Sequence, residues 1–428
     1  MSAAEKMTPL EARLAALGPL SGAAFGAARA AARARLGAMG LPGKRDEYWR
    51  WTDASALNAA QPPAAAPFEA GDETPVFDAT DRLKLVFVDG VFDAAASDPL
   101  ELAGLEVSRL ALAGEGHWAE GLYGALEADG QSPVARPFAA LNTAVASDGM
   151  LIRVTGRPAK PVHLIYIHAD ATSDPVLHHV IRVETGAELT VLESGPAGAR
   201  FNKAMEVDLA EGARFHHIRV QGRDHERRAV TGIFARLAAG ALFKSFTLTA
   251  NGVLTRNECV IDMQGDDAVA HVAGAALGDG ARAPFHHDDT VFITHGAERG
   301  ESRQVFKKVL KHGAVGVFQG KILVKPGAQK TDGYQISQSL LLDDDSQFLG
   351  KPELEIYADD VKCSHGSTTG AIDETALFYL RSRGVPVQEA VSLLVLSFLA
   401  DAIEEVEDEA LKDEIVGRLE GWLARHRD

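Results

Sequence analysis

Gly186, Gly212, Gly240 and Gly265 follow one another at intervals of 26, 28 and 25 residues, and Gly313 lies 48, or twice 24, further on. Four of these five are followed by alanine. Between and around them run short segments rich in Val, Ile, Phe and Thr and punctuated by glycine: HLIYIHA, HHVIRVETG, LTVLESG, FHHIRVQG, FKSFTLTANG, ECVIDMQG and TVFITHG. Short β-branched and aromatic runs bounded by glycine read as strands. From 150 to about 342 no segment reads as a long helix. A coil of about 25 residues that turns at a small residue is what a parallel β-helix shows, and it is favoured here over a β-sandwich.

Helical texture flanks this region. Thr8, Pro9 and Glu11 form a capping box with proline at the first helical position, which predicts a helix running to Gly18. A second helix is expected from near Ser21 to Gly40 and Pro42, after which Asp46 opens the aromatic segment EYWRWTD. QPPAAAP at 61–67 reads as a linker. The expected units are an N-terminal helical domain with linker at 1–80, a β-core at 81–365 and a C-terminal helical domain at 366–428. The stretch 81–150 is transitional, with strands such as LKLVFVDG and an amphipathic helix at 137–146. In the tail, Pro386 starts a helix that is apolar on nearly every side from Ala390 to Leu399, and a last helix carries Leu411, Ile415, Leu419 and Trp422 on one stripe. A helix apolar all round needs more than one neighbour. The tail is therefore read as a cap sealing the open end of the β-region, a reading compatible with a docking surface for another protein.

Where core and tail meet lies KPELEIYADDVKCSHGSTTGAIDETALFYLRSRGV at 351–385. Residues 354–363 lack helical periodicity and read as a strand. Residues two apart on a strand share a face, so Cys363 and His365 can aim a thiolate and an imidazole at one point, a two-ligand chelate. Residues 366–370 are expected to turn the chain. Asp373 then caps a helix with Ala376, Leu377 and Leu380 on one stripe, which Gly384 and Pro386 stop.

With 43 basic against 60 acidic residues the net charge of −17 argues against nucleic acid or a membrane surface as partner. Cys259 and Cys363 are the only cysteines, too few for a disulfide framework and suited to a reducing cytosol. Cys259 reads as a buried small hydrophobe. No stretch has the ~18 uninterrupted apolar residues of a membrane helix, and the N-terminus has no signal-peptide run, so the expectation is a cytoplasmic protein. Histidine doublets at 178–179, 216–217 and 286–287 lie in strand-like segments, where neighbours face opposite ways, and read as solvated or hydrogen-bonded side chains. FHHDD, with His286, His287 and Asp288, is a weaker candidate metal site. Lys307, Lys308, Lys311, Lys321, Lys325 and Lys330 form a basic stretch, read as a solvated β-face or, alternatively, an interface with an acidic partner.

The stretch 351–385, above all KPELEIYADDVKCSHG, closely resembles the SufB/SufD family of the Suf iron-sulfur cluster assembly machinery, and its SufD branch in particular. GVFQGKILVKPGAQKTDGYQ, FHHDDTVFITH, DETALFYLRSRGV and KRDEYWRWTD extend the resemblance along the chain. It implies a mainly β fold, a right-handed parallel β-helix core flanked by N-terminal and C-terminal α-helical domains. It implies pairing with a SufB-like subunit and docking of a SufC-like ATPase on the helical tail, with Leu377, Tyr379, Val391, Leu394, Val395 and Phe398 as docking residues. Cys363 and His365 would then lie at the subunit interface where a nascent cluster forms, as ligands of transient iron or an iron-sulfur cluster shared with SufB. The chain would be a scaffold with no catalytic residue and no permanently bound cofactor. Phe306 stands where the family usually has tyrosine, Gly333 where alanine is usual and Ser339 where asparagine is common. The additional cysteines expected of SufB are absent. A β-helix enzyme, either a polysaccharide lyase or a hydrolase using His286, His287 and Asp288, is the alternative from another class. A purely structural homodimer is a third, and a SufD-like chain in isolation is itself expected to be able to self-associate.

Overall fold

The computed structural model describes residues 7–18, 24–67, 74–195, 197–222 and 226–426. Helices α1 (Pro9–Leu17), α2 (Gly26–Met39) and α3 (Ser55–Asn58) lead into strands β1 (Leu83–Val88), β2 (Val91–Phe92) and β3 (Leu105–Arg109), then α4 (Ala125–Asp129) and α5 (Pro137–Val145). An unbroken series of strands follows: β4 (Met150–Val154), β5 (Val162–Ile167), β6 (Val176–Val183), β7 (Glu188–Ser194), β8 (Arg200–Leu209), β9 (Arg214–Gln221), β10 (Arg228–Leu237), β11 (Leu242–Ala250), β12 (Leu254–Met263), β13 (Val269–Asp279), β14 (His286–His295), β15 (Glu301–Lys311), β16 (Val315–Val324), β17 (Asp332–Leu341), β18 (Gln347–Ile356) and β19 (Lys362–Gly370). Helices α6 (Glu374–Ser382), α7 (Val387–Ile403) and α8 (Glu409–Arg425) complete the described chain.

Among the described residues the strands alternate between a ten-stranded and a nine-stranded sheet, each strand from β6 onward pairing in parallel with the strand two before it. This is the expected parallel β-solenoid. One of its corners is visible in the glycine spacing. Gly186, Gly212 and Gly240 have φ of 67°, 64° and 62°, a left-handed conformation that costs glycine nothing, and each donates its N–H to the next coil's corner: Gly186 to Glu211 O, Gly212 to Ala239 O and Gly240 to Asp266 O. Gly265 lies in the next corner for a different reason. A Cβ there would sit 2.0 Å from Ala239 N, while the left-handed position falls to Asp267. Gly313 belongs to the opposite corner, between β15 and β16, so its apparent place in the period is a coincidence of lengthening strands.

The later corners of the first column use Arg299 and Lys330 at φ of 56° and 60°. For a residue with a Cβ this conformation costs about 1–2 kcal/mol, partly offset in glycine by lost chain entropy. Lys330→Gly is expected to stabilise the chain by about 0.5–1 kcal/mol, read as a higher urea midpoint.

Each sheet is covered on its outer face by one helical unit. Against the nine-stranded sheet, Ala32, Leu36, Trp49, Phe138 and Leu141 pack on Val180, Val230 and Phe234. The motif KRDEYWRWTD is the tie. Trp49 lies under the Arg256 guanidinium, 4.1 Å from the ring centroid, Thr52 donates to Asp288 at 2.6 Å, and the Tyr48 hydroxyl donates to Glu353 at 2.7 Å. Against the ten-stranded sheet, Val395, Leu399, Ile403, Leu411, Ile415, Leu419 and Trp422 pack on Phe246, Leu248, Ala275 and Val309. The C-terminal helices therefore run along the flank of the solenoid and do not seal its end, contrary to the cap expected from sequence. The same packing accounts for two lysines of the basic stretch, and a third turns inward, while Lys321 pairs with Glu355 of β18 and Lys325 is half-exposed. Lys307 pairs with Asp401 of α7 at 2.9 Å, Lys311 donates to His426 O at 2.8 Å, and Lys308 turns inward to Asp289 at 2.6 Å. The capping box of α1 forms as expected. The expected start of the second helix near Ser21 falls outside the described residues.

Between the sheets the interior begins as an apolar core and becomes polar toward the middle. Tyr166, Glu193, Lys203, His217, Arg219, Thr231, Asn257, His287, Lys308 and Asp289 are all buried and joined by hydrogen bonds or ion pairs. One member of each histidine doublet belongs to this frame: His179, His217 and His287 face inward, while His178 turns outward to Asn142 of α5 and to Glu206. His178, His179 and His217 are buried and hydrogen-bonded. Of the sequence alternatives, hydrogen bonding holds for these three and for His286 and His287, while His216 is only half-buried, with Glu188 3.9 Å away.

Candidate functional site

The two ends of the solenoid differ. At the first, β2 and β3 pair antiparallel with β1 and β4, and Phe92, Leu100, Leu102 and Leu105 pack over the interior core. At the last, among the described residues, β18 pairs only with β16 and β19 only with β17. Each therefore has a free edge of backbone N–H and C=O groups, the feature that invites another strand.

The segment 354–363, expected to be a single strand, is the end of β18, a corner and the start of β19. Residues 366–370, expected to turn, continue β19 as strand. Cys363 and His365 keep the predicted relation two apart on this strand. Register shows which face they occupy. Cys363 lies beside Gly333, His365 beside Gln335 and Ser367 beside Ser337. Those three residues of β17 are buried, so their neighbours lie on the inner face of the final coil. Cys363 is half-buried and packs with Leu354 and Val361 on Ile322, Val324, Ala328 and Ala358. His365 is exposed. The departure at Gly333 now has a consequence: a Cβ there would stand 3.3 Å from Cys363 Sγ, so glycine leaves the thiol room. Burial raises the Cys363 pKa, with the Gly333 backbone N–H acting the other way and Asp332 adding to the rise. The thiol is thus protonated at neutral pH, and a metal or a cationic partner group must displace that proton.

The weaker trio does not converge. His286 and Asp288 lie on the outer face, where His286 Nε2 is 3.0 Å from Thr52 Oγ1 and Asp288 receives Thr52 and Arg256. His287 faces inward, with Nδ1 2.7 Å from Lys308 Nζ. Among the described residues no group of three His, Cys, Asp or Glu is arranged to hold a metal ion.

The C-terminal helices sort the expected docking residues. Tyr379 is 54% exposed and Leu377 half-buried. Val395 is fully buried against the sheet, and Val391 and Phe398 pack partly on the same core. Val395 is thus unavailable to a partner, because the helix spends that stripe on its own solenoid. Leu394 is half-buried. The large exposed apolar side chains here are Phe378, Val387 and Leu393, at 72%, 47% and 46%. Val387 and Leu393 were not singled out from sequence because α7 looks apolar on every side and only the sheet beneath it decides which stripe is covered, while Phe378 lies on α6, off the stripe of Ala376, Leu377 and Leu380.

A family model described as SUF system FeS cluster assembly, SufBD core domain, matches residues 166–398. The chain belongs to this SufBD family. It is 30% identical over 396 residues to the iron-sulfur cluster assembly protein SufD of Escherichia coli strain K12, covering 89% of each chain. A SufBD family protein of Synechocystis is 28% identical over 87% of this chain and 85% of its own. SufD of Bacillus subtilis strain 168 is 27% identical over 68% of each. The SufBD match spans the solenoid from β5 through β19 and on into α7, so the open coil with Cys363 and His365 lies within it. The resemblance read from KPELEIYADDVKCSHG thus holds, and the chain is an iron-sulfur cluster assembly protein of the SufBD family. Among the described residues no helix is long and apolar enough to cross a membrane.

Proposed function

We propose that this chain is a scaffold half whose open coil end pairs with a SufB-like subunit and holds iron or a nascent iron-sulfur cluster, its cargo, between the two chains. The open coil supports this reading: two free strand edges frame an inner face on which a thiol and an imidazole stand two residues apart. Soft thiolate and borderline imidazole suit iron and cluster edges. Two ligands are half a set, and the partner supplies the rest. The chain itself turns over nothing. Its α6 and α7 offer Phe378, Tyr379, Val387 and Leu393 as an apolar surface for a SufC-like ATPase, whose movement would open or close the shared end.

The test is anaerobic co-purification of the full chain with SufB-like and SufC-like chains. Cys363→Ser and His365→Ala are expected to keep both partners while bound iron and cluster maturation fall by about tenfold or more. Leu393→Asp is expected to release the ATPase and keep the SufB-like chain. Full maturation in both ligand variants would sink the ligand assignment.

A further inference from the structure

Directly behind His365 the interior contains polar groups with nothing to bind. Gln304, Gln335 and His365 are register neighbours on β15, β17 and β19, so their side chains stack as one row leading to the open end. Gln335 is fully buried, yet neither its Nε2 nor its Oε1 has a hydrogen-bond partner, and Gln304 Oε1 is also unpartnered. Space for the Gln335 amide is made on purpose: a Cβ on Gly320 of the facing sheet would fall 1.9 Å from Gln335 Nε2. A buried amide with both atoms unsatisfied is rare and destabilising, and it calls for a ligand or a function. His365, one rung further out, is exposed, and its ring has no hydrogen bond among the described residues.

We propose that Gln335 is the positioning residue of His365. When His365 binds metal through one ring nitrogen, its other N–H is donated to Gln335 Oε1. That fixes the tautomer and ring orientation and satisfies the orphaned amide. A histidine ligand almost always gives its second nitrogen such an acceptor, and losing the acceptor typically costs 10–100-fold in metal affinity. This rests on the ligand reading of Cys363 and His365.

The consequence is a pair of effects of opposite sign. Gln335→Leu removes an unsatisfied buried amide at nearly constant volume, so it raises the thermal midpoint of the metal-free chain while weakening metal binding. A purely structural glutamine would lower both or leave metal binding unchanged. The experiment titrates Co2+ into the full chain co-purified with its SufB-like partner under anaerobic conditions, following the thiolate-to-metal charge-transfer band, with thermal unfolding of each metal-free variant of the chain alongside. Gln335→Leu is expected to bind Co2+ about 10–100-fold more weakly and to melt higher. Gln335→Glu, which keeps an acceptor, is expected to bind at least as tightly as the parent. If Cys363→Ser and His365→Ala weaken binding but Gln335→Leu does not, the positioning role is overturned and the ligand reading stands. If those two variants titrate like the parent, the ligand reading itself fails.

Discussion

Lys203→Met is expected to lower the stability of the chain by about 3–5 kcal/mol, because it strands a carboxylate in the solenoid interior. Lys203 Nζ lies 2.6 and 2.7 Å from the two oxygens of Glu193, and both side chains are completely buried. Burial alone would raise the Glu193 carboxyl. Lys203, aided by His217 at 2.8 Å and by Arg219, instead holds it well below the usual carboxylate range. Burial lowers the Lys203 pKa to about 8 against the opposing pull of Glu193. Removing the ammonium leaves Glu193 with His217, a Tyr166 hydroxyl at 2.6 Å and Arg219 only at 4.0 Å, so desolvation is no longer offset. The reciprocal repair should work in large part: with Glu193→Gln added, the Lys203–Glu193 pair is removed as a unit, Arg219 loses its neighbouring carboxylate, and the double variant is expected within about 2 kcal/mol of the parent. Urea unfolding of the four chains gives the coupling. A Lys203→Met chain as stable as the parent would mean that water reaches Glu193.

What sequence reveals of this fold follows from what its residues must do locally. Gly186, Gly212 and Gly240 mark a corner because left-handed backbone selects glycine at each coil, and a spacing of identical residues can be read without a structure. The column becomes unreadable where Asp267, Arg299 and Lys330 take over that conformation, since nothing in an arginine or lysine advertises positive φ. Helix ends were equally open to reading: Thr8 and Asp373 cap as their side chains dictate. The path of the C-terminal helices was not. Amphipathicity tells which stripe seeks cover but not which surface supplies it, and here Phe246, Leu248 and Val309 of the ten-stranded sheet won over the open end.

The site divides the same way. Cys363 and His365 share a strand face because the period of a strand is two, and that survived even though the strand's limits moved by several residues. The partners across the ladder, Gly333 and Gln335, are thirty residues away in sequence, and no local pattern links them. Burial was the other hidden quantity. HHVIRVETG and FHHIRVQG read as strands with histidines on both faces, and both faces of these sheets turn out to be covered, one by the opposite sheet and one by helices. Histidines that look solvated in a two-faced strand become interior groups once each sheet is a wall of a solenoid with a helical coat.

That burial makes acid stability the second large effect. Burial lowers the pKa values of His163 and His179 to about 3 and those of His217 and His295 to about 4. Their exposures are 1%, 0%, 1% and 0%. Their unfolded values lie near 6.5, so between about pH 6.5 and pH 4 the unfolded chain binds protons that the folded chain refuses. A depressed histidine pKa therefore gives stability that is complete above about pH 6.5 and drains away as pH falls toward the folded values. Each group contributes a slope approaching 1.4 kcal/mol per pH unit, and the four together about 5 kcal/mol per unit near pH 5. Glu193, held well below its usual range, adds loss in the same direction only at still lower pH. Urea unfolding at pH 7, 6 and 5 is expected to show a shallow decline followed by a steep one, with uptake of at least four protons on unfolding at pH 5, because His287, which burial holds well below its usual range, adds to these four. His217→Gln should reduce that uptake by about one. A stability curve flat between pH 7 and pH 5 would mean that these histidines are already charged or hydrated inside the folded chain. The polar interior would then be a water-filled passage, and Glu193 and Lys203 would be far less costly to separate than the dry geometry requires.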